Sequence, residues 1–271
     1  MTITFIGGGN MASALIGGLK KKGFDAAGIR VVDPSPEARA HVETKYQVTT
    51  FATLEKKLVD SDVVLLAVKP QQMHEVAQVL AGLLECQLVI SIAAGIRSAD
   101  LSRWLGDYPL LVRVMPNTPA LVSAGISALY AMPGVTRPQR EQAETILGAV
   151  GKTLWLTDEM QMDGVTAISG SGPAYVFYFI EALEQAATEL GFDAEQARLL
   201  SIETFLGASR LASESEEHVA TLRARVTSKG GTTETALRVM ENHEVKKHIV
   251  EATHAATERA QELGEMLGKP G

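Results

Sequence analysis

The sequence predicts an α/β domain with a doubly wound sheet, followed by an all-α C-terminal domain. Three observations predict it. Short runs rich in Val, Ile and Leu alternate with helical patterns over the first half of the chain. A glycine-rich triplet lies between the first run and the first helix. After about residue 158 the strand pattern stops and helical periodicity continues alone. The 271 residues, 46% of them hydrophobic, suffice for one or two packed domains. The change of character divides them at 1–158 and 159–271.

The runs Thr2–Ile6, Ile29–Asp33, Val63–Val68, Leu88–Ile92 and Leu110–Met115 are apolar on both faces, as buried parallel strands are. Met11–Lys22, Pro36–Lys45 and Gln71–Leu84 read as helices between them. Strand–helix–strand repetition gives a parallel sheet covered on both faces. SAGISALYA and TLWLT read as a further strand pair. Then 173–190, 193–213, 216–226, 232–241 and 243–267 read as helices. Ile180, Leu183, Ala187 and Leu190 share one face at three- and four-residue steps. Gly191 and Gly268 stand where helices end. The stretch YVFYFIEAL is apolar nearly all round, more than a small helical domain can bury alone. It is expected to pack across a homodimer interface, which makes the second half a dimerisation domain.

Composition excludes several classes of function. A net charge of −7 argues against nucleic acid as a partner. No apolar run reaches the roughly 18 residues that a membrane span needs. The N-terminal MTITFIGGG lacks a basic n-region and a cleavable apolar segment, so a cytoplasmic protein is expected. The single cysteine, Cys86, permits no internal disulfide, and its apolar flanks read as those of a buried, inert thiol. There is no metal-ligand cluster, and no G-x-S-x-G nucleophile motif.

The first run, ending at Ile6, leads straight into Gly7-Gly8-Gly9-Asn10-Met11-Ala12. This is G-x-G-x-x-A between a strand and a helix, the signature of a Rossmann-type dinucleotide-binding domain. Gly7 permits the tight turn, Gly9 lets the backbone approach a pyrophosphate, and Ala12 lets helix and strand pack closely. The helix N-terminus then presents free N–H groups to the phosphates. Asp33, at the end of the second strand, suits the 2′-hydroxyl of NAD. Ser35 and an inward-turned Arg39 suit the 2′-phosphate of NADP, so both cofactors stay open. Three further segments lie where strands end on the ligand side: Ala67-Val68-Lys69-Pro70-Gln71, Ala93-Ala94-Gly95-Ile96 and Met115-Pro116-Asn117-Thr118-Pro119. Among them Lys69 also reads as a plain surface lysine, and Asn117 as a turn cap.

Hydroxyacid dehydrogenases of this domain order carry a lysine on the first long helix, after a glycine-rich lead-in. Here Ser169-Gly170-Ser171-Gly172-Pro173 is followed by Ala174-Tyr175-Val176-Phe177-Tyr178, with no lysine. A cyclic iminium substrate needs none, because its nitrogen already carries the proton. Such a reaction asks for placement, a hydrogen-bond partner for the nitrogen, and an anchor for any carboxylate. A hydroxyacid dehydrogenase and a non-enzymatic dinucleotide-binding protein stand as the alternatives.

FIGGGNMASALIGGL, AVKPQ, RVMPNTPA, SGSGPAYVF and VTSKGGTTETAL, in this order, resemble pyrroline-5-carboxylate reductase over essentially the whole chain. The resemblance implies reduction of 1-pyrroline-5-carboxylate to L-proline with NADPH or NADH, and helical domains interlocked into dimers or further into decamers. It implies that Gly7 to Met11 hold the pyrophosphate. Ala67, Val68, Lys69 and Pro70, with Ala93, Ala94 and Gly95, line the ribose and nicotinamide, and Asn117 sits beside the ring. Ser228 and the amides of Gly231, Thr232 and Thr233 grip the substrate carboxylate. The Thr233 hydroxyl reaches the ring nitrogen, which makes Thr233 and Ser228 the catalytic candidates. Glu216 supports the substrate loop. Two positions depart from the family pattern: Lys229 stands where proline is common, and Asp33 is atypical of NADPH-preferring members. Read from the residues alone, Gly230-Gly231 either joins two helices or turns backbone N–H groups inward as an anion-binding nest.

Overall fold

The computed structural model describes residues 1–56 and 60–269. In chain order the first part runs β1 (Ile3–Ile6), α1 (Asn10–Lys21), β2 (Ile29–Val32), α2 (Pro36–Tyr46), β3 (Thr49–Phe51), β4 (Val63–Leu66), α3 (Met73–Ala81), β5 (Leu88–Ser91), α4 (Ser98–Trp104), β6 (Leu111–Met115), β7 (Gly125–Ala131), α5 (Arg137–Leu147) and β8 (Gly151–Trp155). The expected strands and helices are present, with ends shifted by up to three residues. The edge strand β3 and the helices α4 and α5 were not singled out from sequence. They are short or mostly polar, so they lack a strong apolar period.

Eight strands form one sheet in the order β3-β2-β1-β4-β5-β6-β7-β8. The order reverses beside β1, whose neighbours β2 and β4 both run parallel to it. Residues of β1, β4 and β5 are buried throughout, and alternate ones serve opposite faces. Ile3, Phe5, Val63 and Leu65 pack with Leu15, Ile16 and Leu19 of α1. Ile6, Val64 and Leu66 pack with Met73, Ala77 and Leu80 of α3. This two-sided burial explains why the strands read as unbroken apolar runs.

Two sequence expectations need correction. The sheet is not wholly parallel: β7 runs antiparallel to β6, while β8 is parallel to β7. Only a short turned segment, including a 3₁₀ turn at Thr118–Val122, joins β6 to β7, too little chain for a parallel crossover. Cys86 is exposed rather than buried. It lies in the turn leading into β5, where the Gln87 side-chain oxygen accepts the N–H groups of Glu85 and Cys86. The apolar flanks enter the core and the turn between them does not.

The helical part runs α6 (Gln161–Val165), a π turn at Thr166–Gly170, α7 (Gly172–Glu189), α8 (Ala194–Glu214), α9 (Val219–Arg225), α10 (Thr232–Asn242) and α11 (Val245–Leu267). By packing, residues 1–171 and the chain from 256 onward form one compact unit, and 172–255 form another. The boundary read at 158 marks where strands end, just after β8. Within the second unit α7 lies along α8, and the rings of Phe179 and Phe205 are 6.5 Å apart. α8 starts with a capping box between Asp193 and Gln196. Within the single chain Phe177 and Tyr178 of α7 are 65% and 71% exposed. Of the stripe read on this helix, Ala187 is buried, while Leu183 and Leu190 face outward. Among the described residues no helix is long and apolar enough to cross a membrane.

Tyr108, before β6, donates its hydroxyl to the carbonyl of Gln87 at 2.6 Å. Burial, helped by the neighbouring Cys86 thiol, pushes its pKa up to about 12. The folded state therefore resists ionisation that the unfolded chain undergoes from about pH 10. This contribution is full below about pH 10 and is lost as pH rises through the folded value. Urea unfolding of wild type should show stability falling between pH 9.5 and 12, and Tyr108→Phe should flatten that fall (pH window from about the ordinary phenol value upward,).

Candidate functional site

The turn after β1 is built around close backbone approach. Gly7 has a φ of +102°, and its N–H donates to the Val32 carbonyl at 2.8 Å. A Cβ there would lie 2.7 Å from the carbonyl oxygen of Ala67, the residue that follows β4. Only glycine satisfies both conditions. Gly9 is the N-cap of α1 and makes no side-chain cap, so the first-turn amides, including those of Asn10 and Met11, face outward. Open space surrounds the position of a Gly9 Cβ. Ala12 is fully buried against the sheet. Ile6 closes the floor of the same loop and is buried.

Asp33 holds this turn together. Its Oδ2 accepts the N–H of Gly8 at 2.7 Å, and its Oδ1 accepts that of Ser35 at 2.8 Å. Ser35 caps α2 by accepting from the Ala38 N–H, and donates to Glu37 Oε2 at 2.7 Å. That bond, with one to the Glu37 backbone, holds the Glu37 carboxyl below its ordinary pKa. Arg39 turns inward: its Nη1 donates to the carbonyls of Asp33 and Pro34 at 2.7 and 3.0 Å. Acid and guanidinium therefore occupy the same corner.

A cavity of about 560 Å³ runs along these residues. Gly7, Gly9, Asp33, Ser35, Val68 and Lys69 are among those that line it. A glycine cradle, uncapped helix amides and an acid at the far end fit the pyrophosphate and ribose of a dinucleotide. Lys69 is exposed, and Pro70 begins a 3₁₀ turn beside it.

The other sheet-end loops carry structural duties. Ala93 is buried and Ala94 exposed. Gly95 has a φ of +76°, and a Cβ there would meet Leu267 Cδ1 of α11 at 2.9 Å. This glycine thus seats the end of α11. The Oδ1 of Asn117 accepts the Ile126 N–H at 2.9 Å, and its carbonyl accepts from Ala120.

In the second unit, α9 stops at Arg225 and a polar loop leads to α10. Gly230 has a φ of +74° and donates its N–H to Glu234 Oε2 at 2.7 Å. The Gly231 N–H is held by the Ser228 carbonyl at 3.0 Å. Gly231 is the N-cap of α10 and makes no side-chain cap. Of the three amides expected to serve a carboxylate, those of Thr232 and Thr233 thus remain at the open helix end. A Cβ on Gly231 would meet Ser228 Oγ at 2.5 Å, so the hydroxyl sits directly against this backbone. Thr233 is half-buried, and Lys229 is exposed.

Two acids here escaped the sequence reading. Glu217, not the exposed Glu216, pairs with Arg225 at the root of the loop. Glu234 fastens Gly230, and its place three residues after a helix-capping glycine was the available signal.

Comparison with known proteins adds two family matches. Residues 159–263 match pyrroline-5-carboxylate reductase dimerisation, and residues 2–95 match NADP oxidoreductase, coenzyme F420-dependent. The pyrroline-5-carboxylate reductase of Pseudomonas aeruginosa is 47% identical over 98% of both chains. The structure of a pyrroline-5-carboxylate reductase from Coxiella burnetii is 43% identical, with a TM-score of 0.92 over 97% of this chain and 98% of that one. The Plasmodium falciparum pyrroline carboxylate reductase, solved with NADP bound, is 28% identical with a TM-score of 0.87 over 97% of this chain and 98% of that one.

The Gly7 geometry yields a direct prediction. Gly7→Ala forces a methyl against the Ala67 carbonyl in a disfavoured backbone conformation, so NADPH binding followed by fluorescence should weaken. A strain of about 1–3 kcal/mol corresponds to roughly 5- to 150-fold in Kd.

Proposed function

The chain belongs to the pyrroline-5-carboxylate reductase family, and on that premise we propose how its residues carry the reaction. The activity is reduction of 1-pyrroline-5-carboxylate to L-proline in the last step of proline biosynthesis. The Gly7–Met11 turn would hold NAD(P)H, which would supply a hydride for the carbon of the C=N bond. The chain's own task is placement, since the protonated ring nitrogen needs no base.

The observation that carries the assignment of roles is the open N-terminus of α10 beside Ser228. The Thr232 and Thr233 amides donate to the substrate carboxylate, with help from the Ser228 hydroxyl. Gly230 and Gly231 keep the loop in the conformation that aims those amides. The Thr233 hydroxyl accepts from the ring N–H and so fixes which carbon faces the hydride. Lys229 adds a weak, screened attraction for the anionic substrate. Glu217, through Arg225, steadies the loop that Glu216 was expected to support. Ala93, Ala94, Gly95 and the Asn117 amide flank the nicotinamide end. At the ribose end Asp33 and Arg39 supply chemistry for either 2′ substituent, so both NADH and NADPH are admitted.

The protein oligomerises through its helical domain. We assign the exposed Phe177 and Tyr178 face of α7 to a homodimer, from which a decamer is assembled. A single exposed cysteine without a partner cysteine fits a reducing, cytoplasmic setting.

Two measurements test these roles. Thr233→Ala should lower kcat/KM for 1-pyrroline-5-carboxylate and leave NADPH binding nearly unchanged. Loss of a hydrogen bond to a charged group, about 1.5–3 kcal/mol, gives roughly 10- to 150-fold. An unchanged kcat/KM removes Thr233 from the reaction. Sedimentation velocity at micromolar concentration should give a dimer or larger, and Phe177→Glu should shift the protein toward monomer.

A further inference from the structure

Glu159 has no part in the roles assigned so far. It lies between β8 and α6, and one oxygen of its carboxylate serves two partners. Oε1 accepts the backbone N–H of Ser98 at 2.7 Å and a guanidinium N–H of Arg113 at 2.8 Å. Arg113 sits on β6 inside the sheet, with its side chain only 7% exposed. A guanidinium is strongly disfavoured there without an anion facing it, so Arg113 and Glu159 are kept together. Apolar residues of similar size often give such a position equal or greater stability, so stability alone is a weak reason for the pair.

What the pair fixes is position. Ser98 opens α4 and closes the turn of Ala93–Arg97, where Gly95 takes its positive φ. Arg113 lies on the strand that ends at Met115 and leads to Asn117. These are the two turns that flank the nicotinamide end in the proposed function. The same stretch of chain returns to β6 a second time. A Cβ on Gly170, at the end of the π turn, would lie 2.5 Å from Met115 Cε. Glycine there lets the segment close on the end of the strand.

We infer that Glu159 is a positioning residue for hydride transfer: its one bridging oxygen sets the separation of the 93–97 and 115–117 turns along the nicotinamide ring. The inference rests on the proposed function. Its physical basis is that hydride transfer depends steeply on the distance and angle between donor and acceptor carbons, while binding of the whole cofactor is spread over many contacts.

Glu159→Gln tests it, keeping an oxygen for the Ser98 N–H and removing the charge that Arg113 faces. We expect kcat to fall about 10- to 100-fold while the NADPH Kd changes less than about threefold. The primary isotope effect, measured with deuterium at the transferred position, should rise as hydride transfer becomes more rate-limiting. A merely structural role would lower the thermal midpoint and the active fraction, yet leave the isotope effect and the turnover per active site at wild-type values. That outcome overturns the inference. If Glu159→Gln does not fold, Arg113→Lys, which keeps the charge and loses the planar fork, is judged by the same readouts. The wild-type enzyme separates the two levels of failure. No turnover of 1-pyrroline-5-carboxylate refutes the proposed function, whereas turnover with unchanged isotope effects in the variant refutes the role of Glu159 alone.

Discussion

The approach of Gly7 to the carbonyl of Ala67 is the constraint on which the cofactor half depends. It occurs where the strand order reverses, between the ends of β1 and β4. Because the backbone closes there, α1 starts pointing its amides along the groove, and β2 delivers Asp33 to the far side. The fully buried strands beneath give the turn a rigid base. A larger residue at position 7 would have to move either a strand end or a helix, and both are packed on several sides.

The glycine loops before α1 and α10 share one construction although they lie far apart in sequence. In each, a glycine with positive φ precedes a second glycine that caps a helix without a side chain. In each, a carboxylate also holds a glycine N–H: Asp33 binds Gly8, and Glu234 binds Gly230. The acid takes up one amide, and the next ones stand at a helix start that has no side-chain cap. In the proposed function each helix start faces an anion, and the fixed negative charge beside it is spent on backbone hydrogen bonds that hold the nest in shape. The difference between the loops lies in the source of the acid. Asp33 comes from another strand and ties the loop to the sheet, while Glu234 comes from the same helix and leaves its loop self-contained.

The α/β half was largely legible because β1, β4 and β5 are buried on both faces and say so in unbroken apolar runs. The glycine-rich turn was legible because each small residue answers a separate steric demand. The antiparallel turn into β7 was not, because strand direction depends on how much chain connects two runs and not on the runs themselves. Cys86 misled because its neighbours are apolar while the turn holding it is at the surface. In the helical half, the polar loop declared itself by composition, but the pairing of Glu217 rather than Glu216 with Arg225 did not. Adjacent acids look alike in sequence, and only the position of Arg225 distinguishes them. Arg113 and Glu159 were invisible for a related reason: an ion pair between a strand and a distant loop leaves no periodic trace.

The outward aromatic face of α7 has a consequence for how the protein is made. In the proposed homodimer, a newly finished chain carries Phe177 and Tyr178 in water until it meets another. On that assignment maturation is a second-order process, slow in a cell that makes little of the protein and fast in one that makes much. Dilution acts on such a protein as a denaturing condition, and abundance acts as a stabilising one. Scarce chains spend longer exposed to chaperones and proteases, so the amount of working enzyme should rise more steeply than its rate of synthesis.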